Sequence, residues 1–390
     1  MWLDDAWWLA IVAFVLTAIA FALAAIFGYS DNLLILFGIL SGVIYALTNA
    51  NDRRAVNGRP CIGEPKEFEE VTFLAMAGFL GVFITWMMLP VMYFVFASSL
   101  DYSPQLGDDI TAGFSASVAI GTVTIPAGFM WAGIFTILST LAYLYVLKAN
   151  TVEFLAIVGP CIYVIDIAAG LLLFGDKVET YEKLVIFPAI IFLFIALSFA
   201  RMKTGSRHSV SLSAIGSLLI YIIVSSLVDL SIRGALENFD GTRQFFVSLC
   251  FRAAYFSTFL IFGIAWWLKY RRSASLITDL KEIIRTRHLG KFVLVIVTPL
   301  SFTLAFTLKM PVVSNNLAVG PILYFTGQTL ALSLVGVLYK TDGSKTQLFA
   351  RFKEVYLRSE SQGIQRYAYL LLYLFLFVIV VVWLSLRLAV

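Results

Sequence analysis

Eleven apolar runs dominate the chain, each long enough to cross a hydrocarbon layer as a helix. They cover about 6–28, 32–50, 70–97, 128–149, 151–175, 181–202, 211–236, 245–270, 289–309, 311–339 and 365–389. All are expected to be helical, because no alternation of polar and apolar residues marks a strand and lipid leaves no backbone group unpaired. Composition agrees. Hydrophobic residues make up 60% of the chain and charged ones 13%, where a soluble protein carries about 25% charged. Such a chain cannot clothe a soluble fold. The sequence therefore predicts an all-α, polytopic membrane protein of about 11 transmembrane helices. The opening "MWLDDAWW" lacks a basic region, so the first run reads as a retained helix, over 1–30, rather than a cleaved leader.

The connections sort by charge. The even-numbered ones hold Arg53, Arg54, Arg59 and Lys66, then Lys148, then Arg201, Lys203 and Arg207. Seven more basic residues fall between Lys269 and Lys291, and six between Lys340 and Arg366. The odd-numbered connections are poor in Lys and Arg. The longest, 98–127, has neither and carries Asp101, Asp108 and Asp109. Basic loops stay cytoplasmic, so the N-terminus is expected in the cytoplasm. The small-residue stretch 110–127 is not counted as a span. In two cytoplasmic connections, "SLITDLKEIIRTRHL" and "QLFARFKEVYLR", apolar residues share one helical face edged with Lys and Arg, as in helices that lie on anionic membrane surfaces.

One sentence of the sequence occurs twice. At an offset of 161, Leu147 and Lys148 match Leu308 and Lys309, and Val152 matches Val313. Val158-Gly159-Pro160 matches Val319-Gly320-Pro321, and Tyr163 matches Tyr324. Both copies describe a helix ending near a Lys, a tight turn, and a second helix with Gly-Pro near its start. Gly159, Pro160, Gly320 and Pro321 are candidate hinge positions, where Pro removes a donor and Gly admits a close neighbour. Five helices separate the copies. An odd number sets them in opposite orientations, which is the inverted-repeat plan of many carriers. The expected organisation is an extra N-terminal helix (1–30), a first five-helix repeat (31–205) and a second (206–390).

The segment "GIFTILSTLAYLYVLKANTVEFLAIVGPCIYVIDIAAGLLLFGDKVETYEKLVIFPAIIFLFIAL" resembles the repeat unit of the drug/metabolite transporter superfamily, the EamA-like proteins. The segment "VSNNLAVGPILYFTGQTLALSLVGVLYKTDG" is similar to the same unit. The resemblance implies ten helices in two inverted halves around a central cavity. It also implies exchange or ion-coupled movement of small polar metabolites or drugs across the cytoplasmic (inner) membrane. The chain departs from the family pattern where Asp176 stands in place of the usual Glu, and the second copy offers only Lys340 and Asp342 nearby.

Ionisable residues inside a span are costly and mark functional candidates. Asp166 lies mid-helix in "YVIDIAAG", Asp229 in "SSLVDLSIRG" and Arg252 in "SLCFRAAYFS". Asp229 and Arg252 fall at similar depth on consecutive helices, which predicts an ion pair between them; it either neutralises two buried charges or lines a cavity. Asp166 has no local partner, which suits a substrate- or proton-binding role, or a hydrogen bond to a neighbouring helix. At the equivalent place in the second copy stand Gly327 and Gln328. Asn150, Glu153, Asn315 and Asn316 read as helix caps. Trp131, Tyr143, Tyr163 and Tyr324 read as cavity lining or as interface anchors.

Catalytic signals are missing from the sequence. There is no HExxH, GxSxG, GxGxxG or P-loop pattern, and the two histidines, His208 and His288, lie in basic connections. The three cysteines are scattered, so neither a metal site nor a disulfide framework is expected. No enzymatic activity, cofactor or metal is expected, and no nucleic-acid partner. The expected partners are the lipid bilayer, a small-molecule substrate and protons as coupling ion. The function so read is secondary transport by alternating access. The alternatives are a non-transporting scaffold or accessory subunit, and a lipid-linked-sugar flippase or related envelope-biogenesis protein.

Overall fold

The computed structural model describes residues 3–27, 31–57, 68–97, most of 100–126, 128–149, 160–177, 212–239, 241–270 and 289–324, with 327, 328 and 331. Ten helices lie among them. They are α1 (Leu3–Phe27), α2 (Asp31–Asn57), α3 (Glu70–Phe96), α4 (Leu106–Ser115), α5 (Gly128–Ala149), α6 (Pro160–Leu173), α7 (Leu212–Leu236), α8 (Gly241–Phe256), α9 (Thr258–Tyr270) and α10 (Leu289–Asn315). Among the described residues, five stretches are long and apolar enough to cross a membrane: Val71–Val95, Gly128–Val146, Gly216–Leu236, Gly241–Trp266 and Val295–Asn315. Ile11–Ala20, Leu33–Asn49 and Ile162–Leu173 are shorter apolar helices. The chain is a multi-pass, mainly helical membrane protein. The expected spans at 181–202 and 365–389, both basic amphipathic segments, Asn150, Glu153, Gly159 and the two histidines lie outside the described residues.

Three expectations are corrected. The ninth span does not end at Lys309. α10 runs on through Pro311 to Asn315. Pro311 removes one donor, but Val312 and Val313 beyond it are buried. The helix end is held from outside, where the Arg233 guanidinium donates to the Ser314 carbonyl. The turn therefore falls at 316–319. Its Asn316 does cap: the side-chain Oδ1 accepts from the amides of Ala318 and Val319, each at 3.0 Å. The eighth span breaks at Ser257 into α8 and α9. There Ser257 Oγ donates back to the Ala253 carbonyl at 2.8 Å, and Thr258 Oγ1 donates to Tyr255 at 2.6 Å.

The third correction concerns 98–127, which forms α4 and a hairpin of β1 (Val118–Ile120) and β2 (Val123–Ile125), antiparallel with Ile120 opposite Val123. Two residues separate the strands, the shortest connection common in such hairpins. β1 packs on α7, and a Cβ on Gly234 would lie 3.0 Å from Val118.

Side-chain registers set the helix directions. α10 pairs with α2 through Ser41–Ala305 and Asp52–Thr298, so the two are antiparallel. α5 pairs with α7 through Ser139–Ser225 and Tyr143–Tyr221, again antiparallel. Asp229–Lys309 and Arg233–Ser314 make α7 parallel to α10. Thr85–Thr303 together with Gly81–Pro299 makes α3 parallel to α10. α8–α9 runs against α3, with Tyr93 near Phe246 and Gly78 on Phe259. Consequently α5 and α10, which begin 161 residues apart, point in opposite directions.

The most intimate crossing joins α2 to the helical segment that starts at Gly320. A Cβ on Gly42 would collide with the Tyr324 carbonyl, and one on Gly327 with the Ile39 carbonyl. Only glycine lets two backbones meet this closely.

Candidate functional site

The site is built on α6, α7 and α10. α6 runs parallel to α7, because Ser226 Oγ donates to the Ile162 carbonyl at 3.1 Å and Asp166 follows one turn later beside Asp229. α7 in turn carries Asp229 to α10. There the Lys309 ammonium donates to both carboxylate oxygens of Asp229, at 2.7 Å each. The same ammonium lies 4.9 Å from the Tyr324 ring centre and 5.4 Å from that of Phe306, within the range of cation–π attraction.

Asp166 is fully buried, at 0% exposure, and neither of its carboxylate oxygens accepts a hydrogen bond. It faces Ser226, Asp229 and Lys309. Yet Ser226 directs its proton to Ile162 and Lys309 directs two of its protons to Asp229. Aromatic rings close the surroundings. Tyr163 meets Tyr324 at 6.0 Å and Tyr45 meets Tyr324 at 5.3 Å. The residues thus brought together are two carboxylates, one ammonium and one hydroxyl, in a setting of tyrosines. Fully ionised, they sum to one uncompensated negative charge.

The expected Asp229–Arg252 pair does not form. Consecutive helices need not pack against each other: α7 lies along α5 and α10 and barely touches α8. Lys309 takes Asp229 instead. Arg252, 1% exposed, stacks on Phe256, Phe306 and Tyr255 at 4.4, 4.7 and 5.0 Å and donates to the Tyr255 hydroxyl. Its Nε and second terminal nitrogen carry no hydrogen bond. Arg252 and Lys309 thus share the Phe306 ring.

Lys309 is the residue that sequence reasoning missed. "KMPVVSNN" reads as a turn because Pro311 follows so closely. The usable signal was its solitude in an otherwise weakly basic connection.

Two polar knots lie away from this cluster. Asp176 closes the first. One oxygen accepts from Arg233 at 2.9 Å and the other from the amides of Leu317 and Ala318 at 2.7 and 3.1 Å. Asp109 forms the second. It is buried, accepts from Tyr93 and Tyr102 at 2.7 Å each, and faces Arg243 at 3.7 Å. The acidic cluster of 98–127 is therefore partly internal rather than a solvated loop. Among the described residues, no three His, Cys, Asp or Glu side chains come together as metal ligands. Of the hinge candidates, Pro160 opens α6 and Gly320 lies against Val312, with a Cβ there 3.3 Å from its carbonyl oxygen. Trp131 is 43% exposed, whereas Tyr143, Tyr163 and Tyr324 are buried.

Comparison with models of known families, with curated proteins and with solved structures found no match to this chain.

Proposed function

We propose that this protein is a secondary carrier, built from two inverted halves (31–205 and 206–390) behind an extra N-terminal helix, that moves a small polar solute by alternating access. The carrying observation is the buried Asp166 carboxylate, without a hydrogen-bond donor, beside an ion pair that joins α7 to α10. A buried charge left open is expensive. In a carrier its ligand or a proton completes it for part of the cycle.

The packing supports the inverted plan. Exchange α2 with α7, α3 with α8–α9, α5 with α10, and α6 with the segment from Gly320. The α2–α10 seam then becomes the α7–α5 seam. The α3–α10 contact becomes that of α8–α9 with α5, and the α6–α7 contact becomes that of the Gly320 segment with α2. Each exchange reverses direction. Asp166 and Tyr163 come from the first half; Asp229, Lys309 and Tyr324 come from the second. The cluster sits where the halves meet, the usual place for a carrier's site. Asp166 is the coupling carboxylate, with a proton as its counter-charge, and the open edge of Arg252 is a contact for an anionic group of the solute.

A non-transporting scaffold is the second reading. It is favoured by the engagement of Asp229 with Lys309 and of Arg252 with three rings. The open Asp166 carboxylate weighs against it.

The test is reconstitution into liposomes adsorbed on a solid-supported electrode, presented with a panel of amino acids, sugars, amines and organic acids. Solute-dependent charge movement in the wild type, lost in Asp166→Asn, is the expected result. A wild type that neither moves charge nor accumulates any solute of the panel overturns the carrier reading.

A further inference from the structure

We infer that Asp166 and Asp229 form an exchangeable site for an alkali cation, in which the Lys309 ammonium is a tethered competitor. The inference rests on the carrier reading for its role in transport, but its geometry stands alone.

Asp229 already holds Lys309 through two bonds of 2.7 Å. Asp166, at 0% exposure, has a free carboxylate and no donor. One negative charge is left over in a region of low dielectric, which suits a single positive charge.

Beside the two Asp166 oxygens stand the Ser226 hydroxyl oxygen and the Asp229 carboxylate. The Ile162 carbonyl takes the Ser226 proton. All are oxygens, the donors preferred by hard cations. The side chains that face Asp166 are Ser226 and Asp229 from α7, Lys309 from α10 and Tyr163 from its own helix, with Tyr324 beyond. Among the described residues, every one belongs to the cluster and no further counter-charge faces Asp166.

The Lys309 ammonium touches Asp229 and lies over the rings of Tyr324 and Phe306. A cation bridging Asp166 and Asp229 displaces it from the carboxylate, while the two ring faces still hold it. Because Asp166 lies on α6 and Lys309 on α10, the swap exchanges an ion pair within one half for a bridge between halves. Protons compete for the same oxygens, so cation binding weakens as pH falls.

The experiment uses the full chain in nanodiscs, with sodium chloride replaced by choline chloride at constant ionic strength. Sodium is expected to raise the unfolding temperature of the wild type in a saturable way, because a ligand of the folded state stabilises it. Radioactive sodium binding should show the same saturation. The half-saturating concentration should rise at lower pH. Lys309→Gln removes the competitor and should bind sodium at least tenfold more tightly. Asp166→Asn should lose the effect, and it is the deciding variant if Lys309→Gln does not fold. Sodium indistinguishable from choline in the wild type overturns the inference, as does an undiminished sodium effect in Asp166→Asn. Solute uptake driven by protons alone, with no sodium effect, removes this site and leaves the carrier. Sodium binding without movement of any solute does the reverse.

Discussion

Tyr163 and Tyr324, 161 residues apart in sequence, meet edge to face with ring centres 6.0 Å apart. They occupy the same place in the two copies of the repeated sentence. When two parts of a chain are related by a half-turn, matched residues touch only near the axis of that turn. On the proposed inverted plan, the Tyr163–Tyr324 contact would mark that axis, and the Asp166–Asp229–Lys309 cluster lies beside these two rings.

The ion pair across α7 and α10 should behave as a unit. Lys309→Met leaves Asp229 buried without a partner and is expected to cost about 3–5 kcal/mol. Adding Asp229→Asn should recover more than half of that loss. Unfolding followed by thermal denaturation in detergent checks both values. A double variant no better than Lys309→Met would mean that the carboxylate and ammonium are not coupled.

The glycine crossing should be intolerant of bulk. Gly42→Leu would drive a side chain into the Tyr324 carbonyl and the Gln328 amide, so α2 must move away from the following helix. Overpacking of this kind costs about 1–3 kcal/mol where side chains can shift, and backbone cannot shift as easily. The expected outcome is loss of the monodisperse peak in size-exclusion chromatography. Gly107→Leu, where nothing lies within 4 Å of the added Cβ, should leave that peak unchanged.

Much of the membrane architecture was legible in the sequence, because apolar length is a strong signal that lipid enforces. The boundaries of α5 fell at the expected residues for that reason, and the offset of 161 foretold the shared starts of α5 and α10. Pairing of side chains was not legible. Asp229 and Arg252 have matching depth on consecutive helices, but depth does not say which way a helix is rotated. Lys309 hid behind Pro311, since proline reads as an end even where a helix runs through it. The hairpin at 118–125 hid in a stretch too short and too small-residue-rich to signal strands. The glycines at 38, 42 and 327 carry no signal by themselves; they mean something only opposite one another.

Arg252 should be independent of Asp229. Arg252→Ala opens a gap among Phe256, Phe306 and Tyr255 and is expected to cost about 2–5 kcal/mol. Arg252→Met keeps most of the contact with the rings and should cost distinctly less. Asp229→Ala in the Arg252→Ala background should give no rescue, with a coupling below about 0.5 kcal/mol, as for residues without shared partners. A coupling well above that value would restore the pair that the sequence suggested.

Asp176 ties the end of α6 to α7 and to the turn that follows α10. Asp176→Ala removes the acceptor of Arg233 and of the Leu317 and Ala318 amides. The expected cost is about 1–3 kcal/mol, as for a group that leaves buried donors unmet. Hydrogen–deuterium exchange should quicken at 316–319 and stay unchanged in α2. Equal quickening in both would indicate general loosening rather than loss of a clamp.

Asp52 provides a pH dependence that can be isolated. It lies just beyond the apolar stretch Leu33–Asn49 and accepts from the Thr298 hydroxyl at 2.6 Å. Burial pushes its carboxyl up to about 7, although the Thr298 hydrogen bond pulls the other way. The folded state therefore keeps this proton where the unfolded chain has already lost it, above the ordinary carboxylate value of about 4. Stability from this group is fully present below that value and is lost as pH rises through about 7. Asp52→Asn keeps an acceptor for Thr298 and removes the titration. Unfolding temperatures of the wild type should fall between pH 5 and pH 8 (about that range) by more than those of Asp52→Asn. Parallel curves for the two proteins would show that Asp52 does not carry the dependence.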